Sequence, residues 1–165
     1  MTNKTEFYQD LLAQAKAIIS DETDLIANMA NVSALLFNTL TQVNWVGFYR
    51  VVDKELVLGP FQGKVACIRI PFGVGVCGIA AQTMTTQCID DVHQFEGHIA
   101  CDASSNSEIV IPVQLKGDTI AVLDIDSTGF GRFEREDQIG LESIVQIFEK
   151  SLIASEQALE KNPLI

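Results

Sequence analysis

Basic residues are scarce in this sequence, and their scarcity excludes two classes of partner. Lysine and arginine together number 11 against 22 aspartates and glutamates, which gives a formal net charge of −11. Nucleic acids and anionic membranes both bind clustered positive charge. We therefore predict that neither is a partner of this protein. The acidic excess alone names no ligand, because most of it is expected to lie on the solvated surface.

Long hydrophobic runs are also lacking. No apolar stretch approaches the roughly 20 residues that a membrane-spanning helix needs, and the N-terminus does not show the pattern of a signal peptide. We therefore expect a cytoplasmic protein. The sequence shows no repeat, low-complexity tract or linker. Its 165 residues, of which 47% are hydrophobic, predict a single domain over 1–165 with a substantial core.

Cysteines are few, and no two of them form a Cys-x-x-Cys pair. The four are Cys67, Cys77, Cys88 and Cys101. Without that pair, a thioredoxin-type redox motif and a ribbon-type zinc site are excluded. In a reducing compartment permanent disulfides are not expected, whereas transient catalytic disulfides are allowed.

The pattern of hydrophobic residues predicts helices at both ends of the chain and strands between them. A helical period indicates one helix over 6–19, a second that begins at the acidic cluster of Asp21, Glu22 and Asp24, and a long helix from Phe133 whose buried side includes Ile139 and Ile153. Strands are predicted over 44–53, 55–61, 67–72, 108–115 and 119–127, and a long structured loop over 86–106. The predicted fold class is α+β, a central antiparallel sheet on which the N- and C-terminal helices pack.

Two aspartates interrupt the last predicted strand. Asp124 and Asp126 share a face because side chains alternate along a strand. A three-residue hairpin loop over 116–118 sets Glu108 opposite Asp126, whereas a two-residue loop turns Glu108 to the other face. Crowded carboxyls hold protons near neutral pH. Two interpretations stay open: a strand that ends at a solvated edge, or an acidic pocket that binds a cationic group and donates a proton.

Each cysteine can also be interpreted as a small buried hydrophobic residue, and this interpretation fits Cys88 best. Cys77 lies among glycines, whose backbone amides can stabilise a thiolate. Cys101 follows His98 by three residues in a polar loop, and that histidine can lower the pKa of the thiol. An accessible thiol beside an acidic pocket predicts a nucleophile for a cationic or zwitterionic substrate.

Two other kinds of site fit the sequence less well. Cys88, His93, His98 and Cys101 are of the types that bind zinc, but their spacing is unlike that of common zinc modules, so we expect no metal. A cysteine protease or amidase needs a histidine base and an orienting partner. Three acids at such a site repel an acyl oxyanion.

Four segments of the chain resemble a known enzyme family. Residues 45–49, 56–78, 91–113 and 121–127 resemble the free methionine-(R)-sulfoxide reductases, single-domain enzymes with the GAF fold, and the resemblance runs from about Thr5 to Leu152. It implies a GAF-like domain and an oxidoreductase that acts on a sulfur group with a disulfide as acceptor. It also implies that no cofactor is needed.

The resemblance assigns roles to particular residues. Cys101 corresponds to the nucleophile, and Cys67 and Cys77 to the other two redox cysteines, with Cys67 the first choice as resolving thiol. The implied substrate pocket is lined by Glu108, Asp124, Asp126, Trp45 and Tyr49. From the strand pattern alone, Trp45 reads equally well as a core residue. Cys88 has no place in the family's pattern.

The implied reaction begins when the Cys101 thiolate attacks the sulfoxide sulfur of free L-methionine-(R)-sulfoxide. Methionine leaves, Cys101 becomes a sulfenic acid, and a second cysteine condenses with it to a disulfide that thioredoxin reduces. The family resemblance and the apolar stripes of the N-terminal helices also suggest a homodimer. The alternative is a GAF sensor module that binds a small ligand without catalysis, but a sensor has no need of three thiols in these positions.

Overall fold

The computed structural model describes residues 3–99 and 101–161. Three helices belong to the terminal regions: α1 (Lys4–Ile19), α2 (Leu25–Thr39) and α4 (Arg135–Lys161). Between α2 and α4 the chain forms β1 (Val43–Val52), β2 (Glu55–Gly63), β3 (Arg69–Pro71), α3 (Gly75–Thr83), β4 (Gln87–Ile89), a 3-10 turn (Val92–Gln94), β5 (Ser107–Leu115) and β6 (Asp118–Ser127). The predicted α+β class is confirmed.

The strands form one six-stranded antiparallel sheet in the order β3-β2-β1-β6-β5-β4. On one face α2 contacts β1 and β2, α4 contacts β5, and α1 packs on α4. The main core lies between these layers and contains Phe48, Leu123 and Ile125 from the strands and Met29 and Phe148 from the helices. Because side chains alternate along a strand, Trp45, Tyr49 and Val122 point to the opposite face. There α3 covers a second, smaller core.

The β5–β6 hairpin has a two-residue loop rather than the predicted three-residue loop. Leu115 pairs with Asp118, and the loop residues Lys116 and Gly117 both have positive φ, 53° and 87°. These angles are typical of the tight turn whose twist matches the twist of two antiparallel strands. The predicted loop length is therefore wrong.

The shorter loop shifts the pairing of β5 and β6 by one residue, and a β-bulge reverses that shift. Pairing shifts by one residue between Val113 and Gln114, so that Ile120 on β6 is the extra residue. Glu108 is therefore paired with Asp126, as the three-residue loop had predicted. The pairing that the three-residue alternative implied is therefore observed, although the loop has two residues.

Several element boundaries also differ from the sequence prediction. The strand predicted over 67–72 is shortened to Arg69–Pro71, so Cys67 precedes the strand and lies in an irregular segment. The strand lies at the sheet edge, and it ends at a proline that has no N–H to continue the ladder. The loop predicted over 86–106 contains β4 and the 3-10 turn.

On the last helix, two residues assigned to the buried side are exposed. Ile139 is 52% exposed and Ile153 is 43% exposed, because α4 packs on the sheet and on α1 with a narrower stripe than the apolar pattern suggests. Within the part of the chain that is described, no helix is both long and apolar enough to cross a membrane.

Candidate active site

Two neighbouring strands, β5 and β6, carry carboxyl groups on the face opposite the main core. Across β1 and β6, Trp45 pairs with Asp126 and Gly47 pairs with Asp124. Across β5 and β6, Glu108 pairs with Asp126. The structure therefore brings together the three acids that the sequence singled out, and they share their face with the aromatic residues of β1.

The carboxyls lie in a poorly hydrated place. Glu108 is 5% exposed and Asp124 is 6% exposed, and the Oδ1 atom of Asp124 is buried without a hydrogen-bond partner. Burial, with the charge of Asp126, raises the pKa of Glu108 from 4.5 to about 8. Burial and the neighbouring carboxyls also raise the pKa values of Asp124 and Asp126. The cluster can hold protons at neutral pH, and a cation placed beside it would favour loss of one of them.

Cys77 lies in the first turn of α3, against this cluster. Its buried Sγ atom is 3.9 Å from Oε1 of Glu108. Burial raises the pKa of the Cys77 thiol, and the charges of Asp124, Glu108 and Asp126 raise it further. Desolvation and the adjacent acids thus oppose the thiolate that the glycine-rich backbone was expected to stabilise.

Cys67 and Cys101 are joined by a disulfide across the mouth of the pocket, with Cα atoms 5.6 Å apart. Cys67 comes from the irregular segment 64–68 between β2 and β3, and Cys101 from the loop before β5. Cys101 is exposed and Cys67 is half-buried. The structure thus joins the nucleophile suggested by the family resemblance to the thiol favoured as its resolving partner, and Cys77 is free.

His98 is directed at the acids. Its Nε2 atom is 3.6 Å from Oε2 of Glu108. Burial lowers the pKa of His98, whereas the pKa of Glu108 is raised. Both shifts favour a neutral pair over an ion pair, so His98 adds little positive charge to the site.

Disulfide, acids and aromatic residues surround one open pocket. Its empty space, open solvent at the mouth included, is about 530 Å³. Of the residues that the sequence assigned to the site, its walls include Cys101, Cys77, Glu108, Asp124, Asp126, Trp45 and Tyr49. The remaining one, Cys67, is joined to this wall through its disulfide with Cys101.

The aromatic wall is both core and pocket lining. Trp45 is 3% exposed and stacks between Phe61 and Tyr49, with ring centroids 5.2 Å and 5.9 Å away. The Nε1 atom of Trp45 donates to the carbonyl of Lys64 at 3.1 Å, and the Tyr49 hydroxyl donates to the carbonyl of Cys67 at 2.9 Å. The two interpretations of Trp45 are therefore compatible.

Sequence reasoning missed Asn44, which supports the loop of Cys101. Its Nδ2 atom donates to Asp102 at 3.2 Å and to the hydroxyl of Ser105 at 3.0 Å. Pairing of β1 with β6 shifts between Val43 and Trp45, so Asn44 sits at a bulge, and bulges redirect side chains. A polar residue at the start of an aromatic strand is the only signal in the sequence.

In the zinc alternative, Cys101 is engaged in the disulfide, and among the described residues the four suggested ligands are not grouped within ligand distance of one another. In the described residues, the group whose ligand atoms lie within 4.8 Å of one another is Cys77, Glu108 and Asp124. Their raised pKa values oppose the deprotonated forms that metals bind.

Cys88, expected to be the most buried cysteine, is exposed. It lies in β4, the strand at one edge of the sheet, and its Sγ atom is 3.3 Å from the carbonyl oxygen of Phe133. An edge strand has a neighbouring strand on one side only, and this leaves Cys88 accessible. Cys88 does not line the pocket.

Comparisons with known proteins agree with this geometry. The profile of the GAF domain family matches residues 17–152. The chain is 56% identical over 154 residues to the free methionine-R-sulfoxide reductase of Escherichia coli K12, and the alignment covers 93% of each chain.

Solved structures give the same result. The reduced form of fRMsr from Staphylococcus aureus is 53% identical with a TM-score of 0.86, over 88% of this chain and 94% of that one. The free methionine-R-sulfoxide reductase of Neisseria meningitidis, in complex with its substrate, is 44% identical with a TM-score of 0.90, over 96% and 95% of the two chains.

Proposed function

Because the chain belongs to the GAF domain family and, within it, to the free methionine-R-sulfoxide reductases, a group of oxidoreductases, we propose that it reduces free L-methionine-(R)-sulfoxide to L-methionine. One observation carries the proposal: the Cys67–Cys101 disulfide borders the pocket that holds three buried or half-buried carboxyls. A sulfur pair and a proton source on one pocket are what this reduction requires.

In the first step the Cys101 thiolate attacks the sulfoxide sulfur. The sulfur–oxygen bond of the substrate breaks, the oxygen is transferred to Cys101 as a sulfenic acid, and methionine leaves with two fewer oxidising equivalents. The oxygen needs a proton during the transfer. Glu108 and Asp124, whose raised pKa values keep them protonated, are the donors at hand.

In the second step the Cys67 thiol attacks the sulfenic sulfur of Cys101. The disulfide forms, the sulfur–oxygen bond of the sulfenic acid breaks, and water leaves. The buried Cys77, held as a thiol by its surroundings, is the less suitable resolving residue. We propose it as a hydrogen-bond donor to Glu108.

Selection of the free amino acid follows from the same acids. A carboxylate in the cluster pairs with an α-ammonium group, and the buried Oδ1 of Asp124 is an acceptor that lacks a partner. In a peptide that nitrogen is an amide, which cannot supply the charge that stabilises a buried carboxylate. Trp45 and Tyr49 offer aromatic surface to the S-methyl end, a favourable contact for sulfur.

Thioredoxin is the proposed reductant that restores the two thiols. A dithiol attacks one sulfur of the disulfide, a mixed disulfide forms, and the second thiol of the dithiol releases it. Cys101 is the more exposed of the two sulfur-bearing residues, so we expect the mixed disulfide there. Beside it the exposed side chains of Val65, at 88%, and Ile68, at 67%, offer an apolar surface to the reductant.

The test is turnover of free L-methionine-(R)-sulfoxide with a thioredoxin system. We expect no turnover for Cys101→Ser. Cys67→Ser should release about one methionine per chain and then stall as a sulfenic acid, whereas Cys88→Ser should behave as the wild type. Turnover by Cys101→Ser, or repeated turnover by Cys67→Ser with thioredoxin, would contradict the assigned roles.

The sensor alternative is separated by a thiol count. A protein that only binds the sulfoxide keeps its thiols, whereas the proposed enzyme loses two thiols per methionine released when no reductant is present. Binding without thiol loss in the reduced wild type would favour the sensor.

Three further expectations stay predictions. A homodimer would use the apolar groove between α1 and α4, where Leu12 and the exposed Ile139 lie, and light scattering would measure it. The cytoplasmic location and the single-domain boundaries 1–165, which extend beyond the described residues, likewise await direct measurement.

A further inference from the structure

The segment 64–68, which carries Cys67, is attached to the sheet mainly through its backbone. It lies between β2 and β3 and has no regular secondary structure. Its outward side is bare, since Val65 and Ile68 are largely exposed, and only Ala66 and Cys67 pack against the smaller core. Few side-chain contacts therefore determine where Cys67 lies. The hydrogen bonds to the backbone of the segment are correspondingly more important for its position.

Tyr49 makes the hydrogen bond nearest to the sulfur. Its hydroxyl donates to the carbonyl oxygen of Cys67 itself at 2.9 Å, whereas Trp45 holds Lys64, three residues earlier. Tyr49 is 2% exposed and its ring is stacked on Trp45, so the packed core fixes the donor. Burial raises the pKa of the Tyr49 phenol, which therefore keeps its proton at neutral pH.

The loop of Cys101 is anchored to the same strand. Asn44 donates to Asp102 and Ser105, the residues that follow Cys101. β1 thus holds both sulfur-bearing segments, one through Asn44 and the other through Tyr49. The two sulfurs are brought together from positions 34 residues apart in the sequence.

We propose that Tyr49 is a positioning residue for Cys67 in the step that closes the disulfide. The inference rests on the proposed function. In that step the Cys67 thiol attacks the Cys101 sulfenic acid, the S–S bond forms, and the hydroxyl and the thiol proton leave as water. Without the Tyr49 hydroxyl, the segment 64–68 samples more conformations while the cysteines are reduced. Once the disulfide has formed, the segment is confined with or without that hydroxyl. Formation of the disulfide therefore costs more conformational entropy when the hydroxyl is absent.

The first test needs no methionine sulfoxide. In a Cys77→Ser/Cys88→Ser background, the thiol–disulfide equilibrium with reduced and oxidised glutathione gives the effective concentration of Cys67 toward Cys101. Tyr49→Phe keeps the ring and removes only the hydroxyl. We expect the effective concentration to fall about fivefold, the factor that corresponds to one neutral hydrogen bond.

Tyr8→Phe is the matched control, since Tyr8 is the other of the two tyrosines in the chain. Its hydroxyl also makes a buried hydrogen bond, to Asp137 at 2.7 Å, but it belongs to the main core on the opposite face of the sheet. We expect this variant to lower the melting temperature without changing the effective concentration. An equal fall in both variants would show a general loss of stability and would overturn the proposal.

A kinetic measurement separates the two chemical steps. With reduced protein and one equivalent of methionine sulfoxide, the ratio of the rate of disulfide formation to the rate of methionine release should fall in Tyr49→Phe. Sulfenic acid should then accumulate and be trapped by a 1,3-diketone reagent. An unchanged ratio in folded Tyr49→Phe would overturn the positioning role.

A second variant covers the case in which Tyr49→Phe fails to fold. Ala66→Gly leaves both tyrosines in place and loosens the same segment, so the effective concentration should fall again; no change would overturn the proposal. Failure of the proposed function is distinct: the wild type would release no methionine, while the glutathione equilibrium would still respond to Tyr49→Phe.

Discussion

At the scale of single residues, the proposed site combines buried and half-buried carboxyls whose pKa values are raised. Glu108 is buried beside Asp126 and faces a histidine whose pKa is lowered. An ionised acid in that place is unstable unless a cation neutralises it. The same residues can therefore hold a proton for the sulfoxide oxygen and accept the ammonium group of an incoming amino acid.

The first prediction concerns that proton. We expect Glu108→Gln to lower kcat/KM for methionine release by about a hundredfold, the usual lower limit for loss of a general acid. In the wild type, kcat/KM should fall as the pH rises through about 8, where Glu108 loses its proton. The variant should lack that decrease, and a pH series of single-turnover rates measures both effects.

Glu149→Gln is the matched control for this change. Burial also raises the pKa of Glu149, but its carboxylate accepts from the backbone N–H of Gln114 at 2.8 Å, outside the active-site pocket. Its pH profile should match that of the wild type. If Glu108→Gln kept the alkaline decrease, another group would be the acid.

At the scale of elements, the sequence determines the faces of strands better than it determines how they are joined. The alternation of Asp124 and Asp126 with apolar residues correctly predicted that both share one face. The sequence could not show that a two-residue turn and a bulge at Ile120 would together set Glu108 opposite Asp126. The turn shifts the strand register by one residue and the bulge shifts it back, so neither is visible in the final pairing. The exposure of Cys88 depended on β4 being an edge strand, which is a property of the whole sheet.

The meeting of Cys67 and Cys101 was similarly beyond local reasoning. No periodicity relates two loops that flank different strands, so only the family resemblance pointed to a pair. The role of Asn44 depends on a bulge in β1, and the hydrogen bond of Tyr49 depends on where an irregular segment crosses the sheet. Local patterns therefore predicted that the two aspartates share a face, whereas the meeting of the two sulfurs depends on the tertiary structure.

The second prediction concerns the packing of α3, the helix that carries Cys77. A Cβ atom at Gly78 would lie 3.2 Å from the backbone nitrogen of Gly73 and closer still to the carbonyl oxygen of Pro71. Gly78→Ala should destabilise the protein by about 1–3 kcal/mol through overpacking, although alanine favours helix by about 1 kcal/mol. The substitution should also lower kcat/KM. To relieve the overpacking, α3 must shift, and Cys77 shifts with it relative to the acids of the pocket.

Urea unfolding and single-turnover kinetics measure these two effects. Gln82→Ala, at an exposed position of the same helix, is the control and should change the stability by less than about 0.5 kcal/mol. A Gly78→Ala variant as stable as the wild type would show that α3 can shift away from Pro71 without cost.

At the scale of the whole molecule, the two faces of the sheet carry buried acids whose pKa values are shifted in opposite directions. On the helical side, the buried Asp137 accepts hydrogen bonds from Tyr8 at 2.7 Å, Lys4 at 2.7 Å and the backbone of Glu134 at 2.9 Å, and pairs with Arg132. Burial alone would raise the pKa of Asp137, but these partners lower it. On the other side, the pKa of Glu108 is raised.

The two shifts have opposite consequences for stability. A lowered pKa gives Asp137 a stabilising contribution that is present above its ordinary value of 3.8 and is lost as the pH falls below it. A raised pKa gives Glu108 a contribution that is present below 4.5 and is lost as the pH rises to about 8. Asp124 and Asp126 act in the same direction as Glu108, whereas His98, with its lowered pKa, acts in the opposite direction.

The third prediction follows: the free energy of unfolding of the oxidised protein should be greatest near pH 5 and should fall toward pH 8, because the four acids with raised pKa values, the three of the pocket and Glu149, outweigh one histidine. Urea unfolding across this range measures it, and a pKa that differs by one between the folded and unfolded protein corresponds to about 1.4 kcal/mol.

Glu108→Gln should flatten the decrease above pH 5, and Asp137→Asn should lower stability most at pH 5 and above while leaving the alkaline decrease in place. A wild-type stability that rises from pH 5 to pH 8 would mean that the pocket acids are ionised in the folded protein, and with that the proton source proposed for sulfoxide reduction would be lost.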